Sequence, residues 1–289
     1  MTKHLFCINA IIALLVVVIF YPHFPGGYDP LAADLSLFAQ LLCLGELLLV
    51  PWGAIWLIYE VARRWGGGHE AAGSGKSFYF GLVALVTGSV LALLAALIVL
   101  FGESTSLAIC LMALCGWIVV KLTALLKKLK AAPRAGIHPA PLYLIAIPLG
   151  ALGIQWAFAG RATNYSREFA ILNSREIIEA IERHRTEYGS FPSSMNAVWK
   201  DYYPDVVGIE TYHYTPSANA YSVSFEQPRF LFDDIGVREF VMYNKLDEHI
   251  MPSHASWILI WSPEQLAETQ GWRVAEDATT PHWKRFLFD

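Results

Sequence analysis

Charge is scarce in the first 160 residues of this 289-residue chain, whose only acids there are Asp29, Asp34, Glu46, Glu60, Glu70 and Glu103. A soluble core of that length would need a far more polar surface. Cysteine is absent after Cys115, so the second half folds without disulfides. Cys7, Cys43, Cys110 and Cys115 all lie in apolar runs and read as small apolar side chains, not as metal or redox ligands. Basic excess is also missing. Residues 161–289 hold 12 Lys and Arg against 19 Asp and Glu, which excludes a basic groove for nucleic acid.

Three catalytic or ligand motifs are incomplete. Gly73-Ser-Gly75-Lys76-Ser77 has the end of a phosphate-binding loop, but Glu70 stands where its first glycine is required, and apolar runs flank it. It reads as a flexible glycine-rich loop that excludes nucleotide binding. His249 and His254 are spaced one residue too far apart for one helical face, with Pro252 between them, so solvated loop histidines are expected and no metal site. Ser253, His254 and Ser256 lack the Gly-x-Ser-x-Gly turn that exposes a nucleophile. No catalytic residue and no cofactor are expected.

What the chain has is apolar length. It is 55% hydrophobic with a mean hydropathy of +0.41. Five runs, 5–21, 35–59, 78–101, 107–126 and 142–159, approach or reach the roughly 20 residues a bilayer core requires. Loop charge orients them. Residues 22–34 and 102–106 contain no Lys or Arg, whereas Lys3, the pair Arg63 and Arg64 with Lys76, and the set Lys127, Lys128, Lys130 and Arg134 all fall on the other side. The positive-inside rule then puts the N-terminus in the cytoplasm and residues 161–289 outside. No small-x-small cleavage site follows the first run, where the chain reads Tyr21-Pro22-His23-Phe24-Pro25, so a retained anchor is expected.

Glu46 lies near the middle of the second run, where a carboxylate costs about 2.5–3.5 kcal/mol on insertion scales. With Gln155 it is the intramembrane polar candidate. Gln40, Gln155, Thr87, Ser89 and Lys121 are its expected partners, and an interhelical hydrogen bond that orients the bundle is favoured over a proton- or ion-coupled role.

Leu142–Phe158 runs straight into an amphipathic stretch with only Gly160 at the join. Tyr165, Phe169, Leu172, Ile178, Ile181 and Tyr188 are the expected buried stripe, and Gly189 the helix stop. Ser193 or Ser194 would cap a short helix over Ala197, Val198 and Trp199. Strands follow at 210–215, 220–227, 237–243, 256–261, 271–275 and 282–288, with a hairpin turn at Pro216–Asn219 and a short helix after Ser262-Pro263. The aromatic residues Trp199, Tyr202, Tyr203, Trp257, Trp261, Trp272 and Trp283 are expected mostly in the core.

The run from Ile178 through Tyr188-Gly189-Ser-Phe191-Pro192, together with Tyr221-Ser-Val-Ser-Phe225, resembles the major (G-type) pseudopilins and the type IV pilin-like fold over about residues 142–227. The resemblance implies a membrane helix that continues into an amphipathic helix packed on an antiparallel sheet, with Tyr188, Gly189, Phe191 and Pro192 as structural motif residues. It also implies a bacterial inner membrane with the module in the periplasm. The family's peptidase site is missing: Gly136 is followed by Ile137-His-Pro-Ala-Pro with no acid at the required place. Processing into a filament subunit is therefore not implied, and no calcium site carries over.

The expected architecture is a five-span α-helical bundle over 1–160 and an extracytoplasmic pilin-like α+β domain over 161–289. The expected role is non-enzymatic, in protein–protein interaction or envelope assembly, with the lipid bilayer and other envelope proteins as partners. The competing expectation is a transporter or intramembrane enzyme subunit centred on Glu46.

Overall fold

The computed structural model describes residues 2–65, 73–100, 105–131, 137–198, 203–217, 219–233, 237–249 and 274–288. The expected strand at 256–261, the helix after Ser262 and the residues Trp199, Tyr202, Ser253, His254, Ser256, Trp257, Trp261 and Trp272 lie outside them. The chain forms two compact units. One comprises Met1–Phe20 and Asp34–Phe158, the other Tyr21–Ala33 and Ala159–Asp289. The division inside the long helix falls within a residue or two of the expected one. The inclusion of Tyr21–Ala33 in the second unit is new.

The first unit is helical: α1 (Thr2–Phe20), α2 (Ala32–Glu46), α3 (Val50–Trp65), α4 (Gly73–Leu100), α5 (Thr105–Ala131) and the start of α6 (Ala140–Tyr188). Among the described residues five helices, α2 and α3 counting as one through the turn that joins them, are long and apolar enough to cross a membrane. Small residues let them approach. Ala96, Val99, Ala108 and Leu111 form the core between α4 and α5. A Cβ on Gly53 would meet Ile145 and Leu144 at 3.1 Å, so α3 and α6 close against each other at that glycine. α4 begins at Gly73, so the expected loop is shorter than its glycines suggested. The N–H groups of a first helical turn lack helical partners in any case, which makes glycine inexpensive there.

The second unit packs the later part of α6 on a five-stranded antiparallel sheet. Its strands are β1 (His213–Pro216), β2 (Tyr221–Gln227), β3 (Arg238–Asn244), β4 (Val274–Asp277) and β5 (Trp283–Phe288). The order β1-β2-β3-β5-β4 departs from a pure meander because β5 inserts between β3 and β4. Alternation decides the faces. Tyr221, Val223, Phe225, Val241, Tyr243 and Trp283 face Ala170, Ile171, Ile177 and Ile181 of α6 in one core. Met242, Phe286 and Phe288 form a second cluster from the alternate positions.

The stripe α6 buries matches the expected one only in part: Ile181 lies in the core, and Phe169 and Ile178 pack against it. Ser166, Ala170, Ser174, Ile177 and Ile181 are buried, whereas Tyr165, Leu172 and Tyr188 are exposed. Small side chains win the inner face because the sheet supplies the bulky rings that fill it. Gly189 ends α6 as expected, at φ +74, with its N–H on the Arg185 carbonyl at 2.8 Å. The expected short helix is a single 3-10 turn, Met195–Ala197, and Ser194 flanks it without a side-chain cap.

Candidate functional site

Glu46 is the last residue of α2. Leu47–Leu49 then tighten into a 3-10 turn before α3 starts at Val50. Pro51 accounts for the break: it has no N–H for the Leu47 carbonyl, its ring crowds that carbonyl, and it restricts Val50. The Leu47 carbonyl instead accepts from Val50. Glu46 is half-buried at this interruption and makes no hydrogen bond or ion pair among the described residues.

Its expected partners are engaged elsewhere. Gln155 Nε2 donates to Gln40 Oε1 at 2.7 Å, Gln40 Nε2 to Ser36 Oγ at 3.0 Å, and Ser36 Oγ to the Ile19 carbonyl at 2.6 Å. Ser89 donates back to Leu85, and Lys121 lies over the Trp117 ring. Gln155 therefore belongs to a neutral ladder linking α6, α2 and α1, separate from Glu46. Neutral amides and hydroxyls suit an apolar bundle because their burial without bonds costs a few kcal/mol, not the tens of an isolated charge.

Glu60 was not singled out in the sequence. It is 1% exposed and accepts from Ser77 Oγ at 2.5 Å, Trp56 Nε1 at 3.2 Å and Arg63 Nη2 at 2.9 Å. His138 stacks on the Trp56 ring at 5.4 Å. The readable signal was Trp56, Glu60 and Arg63 on one helical face near a helix end.

In the second unit the Tyr188–Pro192 run organises one end of the core. Phe191 meets the Tyr221 ring edge-on at 5.0 Å, under the Arg185 guanidinium at 4.4 Å. Tyr214 donates to the Pro192 carbonyl at 2.9 Å, while His184 packs on Tyr188 and lies 3.0 Å from the Ser190 carbonyl. Burial raises the Tyr212 and Tyr221 phenols above the ordinary range and pushes Tyr214 up to about 12. These residues hold the helix end on the sheet.

The other end of the same interface is charged. Glu239, 2% exposed, shares the inner face of β3 with Val241 and Tyr243. Arg167 approaches its Oε1 through Nη2 at 2.7 Å and Nε at 3.0 Å, and Arg229 its Oε2 at 3.1 Å. Arg285 stands 3.9 Å away and pairs with Glu276. Beside this cluster Ser166 Oγ accepts from Gln227 Nε2 at 2.8 Å and lies 3.1 Å from His23 Nδ1. The sequence signal for Glu239 was a carboxylate on an otherwise apolar period-two face.

The histidines at the far sheet end make local contacts. His282 Nδ1 lies 3.2 Å from both Asp247 oxygens, and His249 Nε2 donates to the His282 carbonyl at 3.1 Å. Among the described residues no group of three or more His, Cys, Asp or Glu is placed to hold a metal ion. No family model, curated protein or solved structure matches this chain.

Proposed function

We propose that this chain is a multi-pass protein of a bacterial inner membrane that presents a pilin-like α+β module outside the cytoplasm for protein–protein interaction or envelope assembly, without catalysis of its own. The observation that carries the reading is α6: one 49-residue helix, apolar at its start, whose end packs on an antiparallel sheet. Further support comes from the apolar helices, whose most apolar windows are only 11–22% buried. Side chains such as Leu14, Val120 and Trp117 then have lipid as their natural neighbour. Loop charge supports a cytoplasmic N-terminus and an outside C-terminal module. The supporting likeness to pilins is architectural: a long helix running into a helix-on-sheet layer.

Two experiments test this. Reporter fusions after Asp289 and within 127–137 must report opposite sides of the membrane, and a cytoplasmic C-terminus ends the proposal. Photo-crosslinking from exposed module positions in native membranes must yield discrete protein adducts; a clean monomer at every position removes the docking role.

A second reading, transport or intramembrane catalysis at Glu46, is favoured by the 3-10 interruption that begins beside that carboxylate, since such interruptions mark hinges and functional sites. Glu46→Gln separates the two. Loss of a proton-coupled activity with normal expression supports the second, and an unaltered phenotype the first.

A further inference from the structure

Residues Tyr21–Ala33 fold with the second unit although more than a hundred residues separate them from the rest of it. Their contacts are compact and specific. Gly26 N–H donates to the Asp205 carbonyl at 2.8 Å, Val207 N–H to Phe24 at 2.9 Å, Gly208 N–H to Pro22 at 2.8 Å, and Asp29 N–H to Val207 at 3.0 Å. Pro25 and Val206 form an isolated antiparallel bridge, outside the five-stranded sheet. Two glycines make the approach sterically feasible. Gly26 sits at φ +153, and a Cβ on Gly208 would lie 2.7 Å from both Cβ and O of Pro22.

Two neighbouring buried residues, Pro22 and His23, anchor the segment. His23 is 3% exposed, stacked on Phe230 at 4.4 Å and 22°, with Ser166 below it. The neighbouring Phe24 and Tyr28 remain substantially exposed. The receiving segment is strained: Asp205 holds φ +54, in the left-handed region, and its carbonyl is the one Gly26 bonds. A non-glycine residue stays there only while its surroundings hold it there.

We propose that Tyr21–Ala33 is a clasp. It docks on and releases from residues 203–209, which stay with the helix-on-sheet core through Val206 and Ile209. Three features argue for this. The backbone bonds above join only those two segments. Its deep anchors are few: Pro22, the His23 ring and Ala32. The strain at Asp205 is relieved on release. Because the clasp continues directly into α1 and α2, its docking gives the module a second covalent tether beside α6.

Hydrogen exchange of the full-length chain in lipid nanodiscs, read by mass spectrometry, tests the clasp. In the native chain, peptides covering 21–33 and the Val207 and Gly208 amides that bond to them should be protected and exchange at one common rate, faster than peptides from β2 and β3. Gly208→Val should accelerate both segments together by about tenfold or more, leaving β2 and β3 unchanged. Gly27→Ala, whose Cβ would meet nothing within 4 Å, should alter neither. His23→Ala provides the same comparison if the valine variant fails to fold. The proposal is overturned if 21–33 is unprotected in the native chain. Exchange of both segments in step with β2 and β3 in every variant would overturn it too, as would release of 203–209 alone.

Discussion

The two units bury polar groups in opposite ways. The helical unit uses neutral groups in its interior: Gln155, Gln40 and Ser36 pass hydrogen bonds along a ladder to a backbone carbonyl. Among the described residues its one deeply buried carboxylate, Glu60, sits near the end of α3 beside Arg63. The α+β unit instead places a full charge cluster, Glu239 with Arg167 and Arg229, on the inner face of its sheet. The difference follows from what surrounds each unit. A charge can be buried where guanidinium partners reach it and water lies close behind, since Arg229 and Arg285 keep partial exposure. An apolar bundle offers neither, so there the charges retreat to helix ends.

The comparison can be broken at its strongest point first. Glu239→Ala leaves Arg167 and Arg229 buried without their carboxylate, and should cost about 3–5 kcal/mol in urea unfolding followed by tryptophan fluorescence. Replacing Glu239 and Arg167 together with leucine and methionine should recover most of that loss, which would show that the cost is the unpaired charge. The core beside the cluster comes next: Ile181→Ala should cost about 2–5 kcal/mol by the same measurement, with the spread set by how far the site collapses. In the bundle, Gln155→Leu removes one neutral interhelical bond and should cost only about 0.6–1.7 kcal/mol in a detergent-unfolding assay. A loss as large as that for Glu239 would erase the distinction between the units.

A pH experiment sharpens the module side. The phenols of Tyr212, Tyr214 and Tyr221 are raised by burial, so the folded state holds their protons more tightly than the unfolded state. Their contribution to stability is complete below the unfolded value of about 10 and is lost as pH rises through the folded values, about 12 for Tyr214. Tyrosinate absorbance should therefore rise together with loss of the module's structure above pH 10. Full ionisation of these three with the fold intact would contradict their burial. The smallest effect is expected at Glu46. With no hydrogen bond among the described residues, Glu46→Gln should change bundle stability by less than about 0.5 kcal/mol.

Several elements were readable because local rules govern them. The apolar runs, the stop at Gly189 and the strands at 220–227, 237–243 and 282–288 follow from hydropathy, glycine's conformational freedom and period-two alternation. Elements that depend on a partner were not readable in the same way. The helix stripe Tyr165, Phe169, Leu172, Ile178, Ile181 and Tyr188 was inferred from hydrophobic periodicity; Phe169, Ile178 and Ile181 meet the core, but Tyr165, Leu172 and Tyr188 are exposed and α6 buries Ser166, Ala170 and Ser174 under the sheet's rings. Glu46 drew attention as a carboxylate in an apolar run, while Glu60 was not singled out. Only packing shows that Ser77, on α4, reaches the Glu60 carboxylate, beside Trp56 on its own helical face.

The sequence by itself determined five apolar helices, an acidic disulfide-free second half and a long helix running from one into the other, because length, hydropathy and charge act residue by residue. Only the tertiary structure decided that His23, Gly26 and Pro22 complete the second unit through the segment at Asp205–Gly208. Nothing local in Pro22-His23-Phe24-Pro25 distinguishes a docked segment from a surface loop. The distinction lies in two glycines that let two backbones meet, and in a ring that finds its place between Ser166 and Phe230.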